Sequence, residues 1–485
     1  MVNHIANLLS KNESHGSKIA LIFNKESKTY SDLANEVGEY VGTIINHTLV
    51  GDRVLILSGN TPKTIIAFFA CIASERIPVI ADATASKEKI DYIIDDCQPT
   101  MVIREEGDPE IRTNADAMQF LDIPTLILYT SGSTGEPKGV VCHNSSMCAA
   151  VNAINEYMPL TEEDVILNTL PFNHSYGLYQ MLTIFDACGT LVLMKKSAWT
   201  FPMVVVKKVK EHNVTVLPVA PTSIALLFKL REDKFELLKS LRIITTAGAN
   251  FPEHHCEKLQ KLLPDTSIIP MYGATECVRI SYRPPNANKP GSCGINIPNQ
   301  KTMIIDEEGN ELLDGEIGQL IVKGPHVMSY YLNKPELTAK TFREGWLYTG
   351  DMFSKDEDGY LYFAGRNDDT IKIKGEKVSP IEIEAQLNTI PGITQAIVTP
   401  APDDLVGNVI VAHIVCDAEK VNDEIQNNAI MNYIKANLNL DATLIPKRIL
   451  RWVTFPLVEG TSKINRKELK EAGLADLEKN KEFFK

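Results

Sequence analysis

Short apolar runs alternate with helical patterns through the first half of the chain, and this alternation restricts the folds that are open to it. The runs at 52–59, 77–82 and 100–105 are strand candidates, and the segments 62–76 and 87–97 between them have helical periodicity. The same alternation returns between 189 and 249. Strands that alternate with helices pair in parallel, with the helices covering the sheet. We therefore predict an α/β fold built on parallel sheets.

The character of the sequence changes near residue 289, where short β runs separated by Gly and acidic turns begin. Such runs predict a small antiparallel sheet or barrel. A compact α+β unit follows from about Asp368. Because 485 residues are too many for one core, we predict an N-terminal α/β domain at 1–367 that includes the β-rich, barrel-like subdomain, and an α+β C-terminal domain at 368–485.

The charge composition limits the partners that the chain can have. It contains 49 basic and 62 acidic side chains, for a formal net charge of −13. Such a surface repels nucleic acid and anionic membranes, and no apolar run is long enough for a membrane span. We expect neither nucleic-acid binding nor membrane insertion.

The start of the chain and its cysteines indicate a compartment. The first 20 residues lack the basic start and long apolar core of a signal peptide. The nine cysteines include no CxxC pair, which argues against a zinc site or a disulfide framework and favours a reducing environment. We expect a cytoplasmic protein, with Cys277 as a small buried hydrophobic residue.

The segment "LYTSGSTGEPKGVV" (128–141) is rich in Gly, Ser and Thr and contains one lysine. It does not match the Walker pattern G-x-x-x-x-G-K-[ST], but its glycines allow backbone N–H groups to approach phosphate oxygens. A Gly/Ser linker would not sit between a strand and a helical segment. The predicted phosphate-binding residues are Thr130, Ser131, Gly132, Ser133, Thr134, Gly135 and Lys138.

Six further motifs follow this loop along the chain. They are "TTAGANF" (245–251), "MYGATEC" (271–277), "KPGSCGINIPN" (289–299), "GWLYTGD" (345–351), "GRNDDTIKIKGEKVSPIEIE" (365–384) and "EGTSKINRKEL" (459–469). Together with the loop, and in the same order, they resemble the AMP-forming adenylating superfamily of acyl-CoA synthetases, carrier-protein ligases and peptide-synthetase adenylation domains. The resemblance covers nearly the whole chain and implies that the small C-terminal domain is a mobile lid.

The resemblance also implies a reaction in two steps. A carboxylate attacks the α-phosphorus of ATP, giving an acyl-adenylate and pyrophosphate, and a thiol then takes the acyl group and releases AMP. ATP and Mg²⁺ would be required, with CoA or the phosphopantetheine of an acyl carrier protein as the thiol. Cations and fixed donors aimed at the phosphates would supply most of the catalysis.

Several residues acquire roles through the same resemblance. Glu276 matches the family's Mg²⁺ carboxylate, a hard oxygen ligand, and Thr275 would bond the α-phosphate. Asp351 would bind the ribose hydroxyls together with Arg366. Two segments would complete the nucleotide site, with the backbone of the first and the tyrosine ring of the second bracketing the adenine: Gly248, Ala249 and Asn250, and Met271, Tyr272, Gly273 and Ala274.

The C-terminal motifs imply a change of lid between the two steps. Lys463 matches the lysine that reaches the carboxylate and the α-phosphate during adenylation, although Thr-Ser-Lys replaces the commoner Ser-Gly-Lys here. Asp368 aligns with the hinge of the rotating domain. Lys374 and Gly375 would then lie at the thiol tunnel, where glycine permits close backbone approach.

The acid substrate is less well defined. His174 in "LPFNHSYGL" (170–178) would line the junction of the acyl pocket and the thiol channel, and no carboxylate follows until Asp186. Because a buried ammonium without a counter-charge is costly, we expect a short or medium, mostly apolar or cyclic carboxylic acid and not a free amino acid. Arg279 either shapes the acyl pocket or pairs with a surface acid.

Three alternatives to CoA ligation stay open. The stretch "MYGATECVRISYRPP" (271–285) resembles prolyl carrier-protein ligases and coronafacate-type ligases, so loading of a carrier protein and amide formation are both alternatives. A binding module without catalysis is the third. The presence of Lys138, Glu276 and Lys463 argues against that module.

Overall fold

The structure is a computed structural model, and it describes residues 4–9, 15–112, 122–130, 137–249, 251–366, 371–373, 376–403, 407–416, 426–438, 444–458 and 464–479. The α-helices of these residues are α1 (Tyr30–Ile45), α2 (Pro62–Ala73), α3 (Lys87–Cys97), α4 (Asn144–Tyr157), α5 (Ser175–Asp186), α6 (Pro202–Glu211), α7 (Pro221–Leu227), α8 (Glu253–Leu262), α9 (Pro335–Thr341), α10 (Pro380–Leu387), α11 (Gln426–Asn437) and α12 (Arg466–Lys479). Short 3₁₀ helices cover Ile5–Leu8, Lys196–Thr200 and Glu232–Leu238.

The β-strands of the same residues are β1 (Ile19–Phe23), β2 (Glu26–Thr29), β3 (Arg53–Ser58), β4 (Ile77–Asp82), β5 (Met101–Ile103), β6 (Glu110–Ile111), β7 (Leu126–Tyr129), β8 (Gly139–Cys142), β9 (Val165–Asn168), β10 (Thr190–Leu193), β11 (Val216–Val219), β12 (Ile243–Thr246), β13 (Ser267–Tyr272), β14 (Ser281–Tyr282), β15 (Ile295–Asn296), β16 (Lys301–Ile305), β17 (Gly318–Lys323), β18 (Tyr330–Tyr331), β19 (Phe342–Arg343), β20 (Trp346–Lys355), β21 (Leu361–Arg366), β22 (Ile371–Ile373), β23 (Glu376–Val378), β24 (Ile393–Asp403), β25 (Gly407–Cys416) and β26 (Arg448–Trp452).

Two sheets with parallel centres form the larger part of the molecule. One has seven strands in the order β18-β8-β7-β4-β3-β5-β6, and the other has nine in the order β15-β14-β13-β12-β11-β9-β10-β1-β2. Their central strands pair in parallel, whereas their edges pair antiparallel. The α/β prediction is confirmed, but the strands fall into two sheets with antiparallel edges, which an alternation of strands and helices does not reveal.

The main core lies between the two sheets and contains residues of both, with α2, α4 and α5 packed among them. Helix α2 begins with Pro62 at its first turn, a position that needs no backbone N–H donor. It buries Phe68 and Phe69, whose ring centroids are 5.2 Å apart, and Phe69 reaches Phe185 of α5 at 6.1 Å. Aromatic contacts therefore join α2, which packs on the seven-stranded sheet, to α5, which packs on the nine-stranded sheet.

Five of the strands after residue 289, which are β16, β17, β19, β20 and β21, form an antiparallel sheet. The prediction of a small antiparallel sheet is therefore confirmed. Its long central strand β20 pairs with β17 on one side and with β21 on the other. The pairing of β20 with β21 places Asp351 opposite Arg366.

The C-terminal residues form an α+β unit with a hydrophobic core of their own, which includes Ile383, Leu387 and Ile410. Its three-stranded sheet has the order β24-β25-β26. The Glu384 carboxylate of α10 pairs with Arg466 of α12 at 2.8 Å, which joins the two helices. The boundary at Asp368 stays a prediction, because residues 367–370 lie outside the described residues.

Two further features concern the lengths of the helices and the state of the cysteines. In the described part of the chain, no helix has the length and apolar character needed to cross a bilayer. The nine cysteines are free thiols, and Cys277 is completely buried.

Candidate active site

Three of the predicted site segments follow strands of the nine-stranded sheet. The segment with His174 follows β9, Gly248 and Ala249 follow β12, and the "YGATE" residues follow β13. These strands belong to one parallel series, in which β11 lies between β9 and β12. Ligands of open α/β sheets bind outside the carboxyl ends of the strands. The fold therefore brings the segments at His174 and Glu276 to one edge of the sheet.

The predicted phosphate loop joins two antiparallel strands. β7 ends at Tyr129 and β8 begins at Gly139, and the Thr130 N–H donates to the Lys138 carbonyl at 3.0 Å to close the base of the hairpin. A strand, not a helix, therefore follows the loop directly, and helix α4 comes after that strand. The Thr130 hydroxyl is buried without a hydrogen-bond partner. This orphaned donor lies where the sequence predicts phosphate.

Tyr331 joins the phosphate hairpin to the "YGATE" segment. Strand β18 pairs with β8, with Tyr331 opposite Val140. The Lys138 ammonium lies 5.6 Å from the centre of the Tyr331 ring, and the Tyr331 hydroxyl donates to Glu276 Oε1 at 2.7 Å. Burial, followed by the Glu276 charge, raises the pKa of Tyr331, so the hydroxyl stays a donor. One side chain thus contacts the predicted phosphate lysine and the predicted metal ligand.

Glu276 is half-buried at the end of the loop that follows β13. Among the described residues, no group of three or more His, Cys, Asp or Glu side chains is arranged to hold a metal. This fits Mg²⁺, which proteins often bind through one or two carboxylates together with substrate phosphates and waters. The Glu276 carboxylate could hold such an ion together with phosphate oxygens and waters.

The loop that contains Thr275 is closed by its own backbone. The Ile280 N–H donates to the Tyr272 carbonyl at 2.8 Å, and Ala274 and Cys277 exchange backbone hydrogen bonds of 3.1 and 3.3 Å. Gly273 is required here, since a Cβ would lie 2.7 Å from the backbone nitrogen of Arg279. These contacts hold Thr275 and Glu276 at the end of β13.

Asp351 lies opposite Arg366 in the antiparallel sheet, in β20 and β21. Its Oδ1 is 3.3 Å from the Arg366 Nε, and its Oδ2 accepts a 2.5 Å hydrogen bond from the Tyr272 hydroxyl. The Asp351 N–H donates to the Thr349 hydroxyl at 3.1 Å. Burial, followed by the Asp351 charge, raises the pKa of Tyr272 well above its usual value. The Tyr272 hydroxyl therefore stays a donor, and it orients the Asp351 carboxylate beside the adenine-side tyrosine ring.

His174 occupies the residue just before helix α5, with an extended backbone. The preceding turn is held by Asn60, which donates to the Leu170 carbonyl at 2.7 Å and accepts from the Phe172 N–H at 3.0 Å. Two residues further on, the Tyr176 ring lies 4.6 Å below the Arg279 guanidinium. The helix start that carries His174 therefore adjoins the loop of Thr275.

Several predicted residues lie outside the described residues. They are Ser131, Gly132, Ser133, Thr134, Gly135, Asn250, Asp368, Lys374, Gly375 and Lys463. Their proposed roles rest on the sequence alone.

Sequence reasoning missed two features of this site. Tyr331 belongs to no motif used above, and only its pairing beside β8 brings it to Glu276. Arg279 had two interpretations, and the structure removes the surface one, since the side chain is only 3% exposed. A cation within five residues of "YGATE" in an otherwise apolar run was the available signal for a buried role.

Comparison with known proteins agrees with this geometry. The chain matches the family described as "AMP-binding enzyme" over residues 9–123 and 115–332. A 4-coumarate–CoA ligase 1 of Narcissus pseudonarcissus is 32% identical over 414 residues, which are 81% of this chain and 71% of that protein. A 4-coumarate–CoA ligase-like 4 of Oryza sativa subsp. japonica is 32% identical over 356 residues, which are 72% of this chain and 63% of that protein.

The fold is also similar to that of a solved structure. The crystal structure of ATP-bound MatB from Rhodopseudomonas palustris superposes with a TM-score of 0.86 at 23% identity, covering 96% of this chain and 98% of that one. The chain belongs to the AMP-binding enzyme family, the superfamily that its motifs resemble. Within that family it is an AMP-forming acid–thiol ligase.

Proposed function

We propose that the protein activates a carboxylic acid with ATP and transfers the acyl group to CoA. The observation that carries this proposal is the contact chain from Lys138 through Tyr331 to Glu276. It joins the cation of the phosphate loop to a carboxylate suited to Mg²⁺, as a reaction on ATP phosphates requires. The two 4-coumarate–CoA ligases at 32% identity support CoA as the acceptor.

In the first half-reaction, a carboxylate oxygen of the acid attacks the α-phosphorus and the bond to the β-phosphate oxygen breaks. Pyrophosphate leaves with the electron pair of that bond. Mg²⁺, when bound, would neutralise charge on the phosphates. On the protein side, Lys138 and the buried Thr130 hydroxyl would bind the phosphates, Thr275 would bond the α-phosphate, and Lys463 would reach the reacting oxygen.

The nucleoside would be oriented by the cluster of Asp351, Arg366 and Tyr272. The Asp351 carboxylate has two acceptor oxygens for the ribose diol, and Arg366 and Tyr272 already fix its position. Gly248 and Ala249, together with the Tyr272 ring, would bracket the adenine. Such fixed geometry favours the in-line attack, because little ordering remains to be paid for at the moment of reaction.

In the second half-reaction, the thiol sulfur attacks the acyl carbonyl carbon. The bond from that carbon to the phosphate oxygen breaks, AMP leaves with its electrons, and the thiol proton passes to solvent. His174 would line the junction of the acyl pocket and the thiol channel. The C-terminal unit would rotate about Asp368 and present Lys374 and Gly375 in place of Lys463.

A stand-alone carrier protein is the second candidate acceptor. Helix α6 and its preceding residue expose Phe201 and Val204 beside the cations Lys207 and Lys210. An apolar and basic surface of this kind suits the acidic helices of a carrier protein, which the net charge of −13 would otherwise repel.

One experiment tests the proposal and separates the two acceptors. AMP formation is measured over a panel of carboxylic acids, with CoA in one arm and a purified phosphopantetheinylated carrier protein in the other. We expect faster turnover with CoA. Substantially faster turnover with the carrier would replace the acceptor and keep the adenylation, whereas release of ADP in place of AMP would reject the reaction itself.

A further inference from the structure

Arg279 is a buried cation whose donors are only partly used. Its side chain is 3% exposed, and its Nε and Nη2 atoms have no hydrogen-bond partner. The neighbouring arginines of the sequence behave differently, since Arg242 pairs with Asp164 at 2.5 Å and Arg283 with Glu253 at 2.7 Å. No ion pair of the described residues involves Arg279. A guanidinium does not lose its proton in proteins, so its buried N–H groups require acceptors from elsewhere.

The backbone holds this side chain beside the adenylation loop. Arg279 has a φ of 61°, in the left-handed region that residues other than glycine seldom adopt. A Cβ at Gly273 would lie 2.7 Å from the Arg279 backbone nitrogen, and the next residue, Ile280, donates to the Tyr272 carbonyl at 2.8 Å. Strained conformations of this kind cluster at ligand sites.

The surroundings of the guanidinium are aromatic and neutral. Its Cζ lies 4.6 Å from the centre of the Tyr176 ring, and the Tyr176 hydroxyl is paired with the Thr245 hydroxyl at 2.8 Å. Tyr157 stacks on Tyr282 at 4.2 Å, and its hydroxyl contacts the Met271 sulfur at 3.3 Å. Burial raises the pKa of both Tyr157 and Tyr176, although the Arg279 charge acts in the opposite direction, so neither phenol supplies a negative charge.

We propose that Arg279 binds a second oxygen acceptor of the acid substrate, remote from the carboxylate that reacts. The inference rests on the proposed function, because it places the acid beside Tyr176 and the Thr275 loop. The planar fork of arginine pairs with two oxygens at once, so a second carboxylate is the best occupant and a ketone oxygen a weaker one. The substrate class is therefore a dicarboxylic or oxo-carboxylic acid.

The first test uses the wild-type full chain and matched pairs of acids. Binding is measured by calorimetry with AMP present, comparing the dicarboxylates from succinate to suberate, and terephthalate, with the monocarboxylates in which a methyl group replaces the second carboxylate. At least one diacid is expected to bind roughly 100-fold more tightly than its partner, since a buried site built for an acceptor rejects the analogue that lacks it. Equal or weaker binding of every diacid overturns the proposal.

Two variants test the residue itself. Arg279→Met keeps the length and removes the charge, and it is expected to reduce the diacid preference to about threefold or less, whereas Arg279→Lys keeps the charge without the fork and retains an intermediate preference. Undiminished preference in the Met variant overturns the proposal. If the Met variant does not fold, the Lys variant and the wild-type comparison still decide.

The proposed function is checked separately by ATP–pyrophosphate exchange on the same acids. Exchange with monoacids but no diacid preference rejects the role of Arg279 and keeps the adenylation. Diacid preference in binding without exchange for any acid rejects the adenylation and keeps the role of Arg279.

Discussion

The Tyr331 hydroxyl donates a hydrogen bond of 2.7 Å to Glu276 Oε1, while the Lys138 ammonium lies 5.6 Å from the centre of the same tyrosine ring. Strand β18, paired with β8, thereby fixes the spacing between a cation and a carboxylate that come from different motifs. Both act on phosphates in the proposed reaction, so their relative position determines how charge is distributed around the nucleotide.

Removing the Tyr331 hydroxyl should weaken adenylation without unfolding the protein. In Tyr331→Phe the ring and its packing against Lys138 remain, but Glu276 loses a donor that fixes its carboxylate. We expect about a tenfold lower rate of pyrophosphate exchange, in line with loss of a hydrogen bond to a charged group. Tyr330→Phe is the matched control on the same strand and should retain the wild-type rate. Equal rates for both variants would remove Tyr331 from the site.

Glu276→Gln should raise the Mg²⁺ concentration needed for half-maximal exchange. A neutral amide binds a hard dication less well than a carboxylate, and the change leaves the size of the side chain intact. The measurement is the Mg²⁺ dependence of pyrophosphate exchange, with the exposed Glu308→Gln as control. An unchanged Mg²⁺ dependence would exclude Glu276 as the metal ligand.

Asp351→Asn should weaken recognition of the ribose. The carboxylate pairs with Arg366 and accepts from Tyr272, and an amide keeps the shape but loses the charge. We expect the KM for ATP to rise roughly 10-fold to 100-fold, by analogy with other hydrogen bonds to charged groups. The variant should also lose preference for ATP over its 2′-deoxy and 3′-deoxy analogues. Retained preference would place the ribose elsewhere.

Lys463→Ala should separate the two half-reactions. Loss of one charge partner in the transition state costs roughly 10²–10³-fold, on the order of 3–4 kcal/mol. We expect that loss in acyl-adenylate formation but not in thioester formation from pre-made acyl-adenylate. Rapid-quench assays of each step measure the two rates, and an equal loss in both would give Lys463 a structural role.

The core of the C-terminal unit should make stability depend on pH. His413 is 0% exposed. Its Nε2 shares a 2.9 Å hydrogen bond with the Thr399 hydroxyl, and its Nδ1 accepts a hydrogen bond of 3.2 Å from the Trp452 indole N–H. Burial, followed by repulsion from Arg466, lowers its pKa from 6.5 to about 4. Between these values the unfolded chain binds the proton and the folded chain does not, so stability falls as pH drops from 6.5 to 4 and then levels off.

Urea titrations across that range measure the effect. The slope from this one group is about 1.4 kcal/mol per pH unit, and His413→Gln should reduce the pH dependence of the C-terminal unit. The exposed His47→Gln is the control and should leave that dependence unchanged. A C-terminal unit whose stability is the same at pH 4.5 and pH 6.5 would contradict the account.

Local patterns were sufficient to predict most elements of this fold. Apolar periodicity located α3 at 87–97 and β4 at 77–82 with the observed bounds, because each segment is stabilised by a single repeated burial pattern. The same patterns missed the division into two sheets, since pairing depends on contacts between strands far apart in sequence, such as β18 with β8.

The residues of the site also fall into two groups, those that the sequence predicts and those that only tertiary packing reveals. Glu276, Asp351 and Arg366 stand in motifs whose order is readable along the chain, and the structure brings Asp351 and Arg366 together across two strands. Tyr331 and the buried state of Arg279 arise only from tertiary packing. No local pattern of residues encodes a neighbour that is 55 positions away.

The most direct measurement follows one oxygen atom through the reaction. A panel of carboxylic acids labelled with ¹⁸O in the carboxylate is incubated with the protein, ATP, Mg²⁺ and CoA, and the products are analysed by mass spectrometry. Attack of the carboxylate on the α-phosphorus predicts AMP that carries one labelled oxygen, together with unlabelled pyrophosphate. Formation of ADP, or label in inorganic phosphate with unlabelled AMP, would contradict the proposed chemistry.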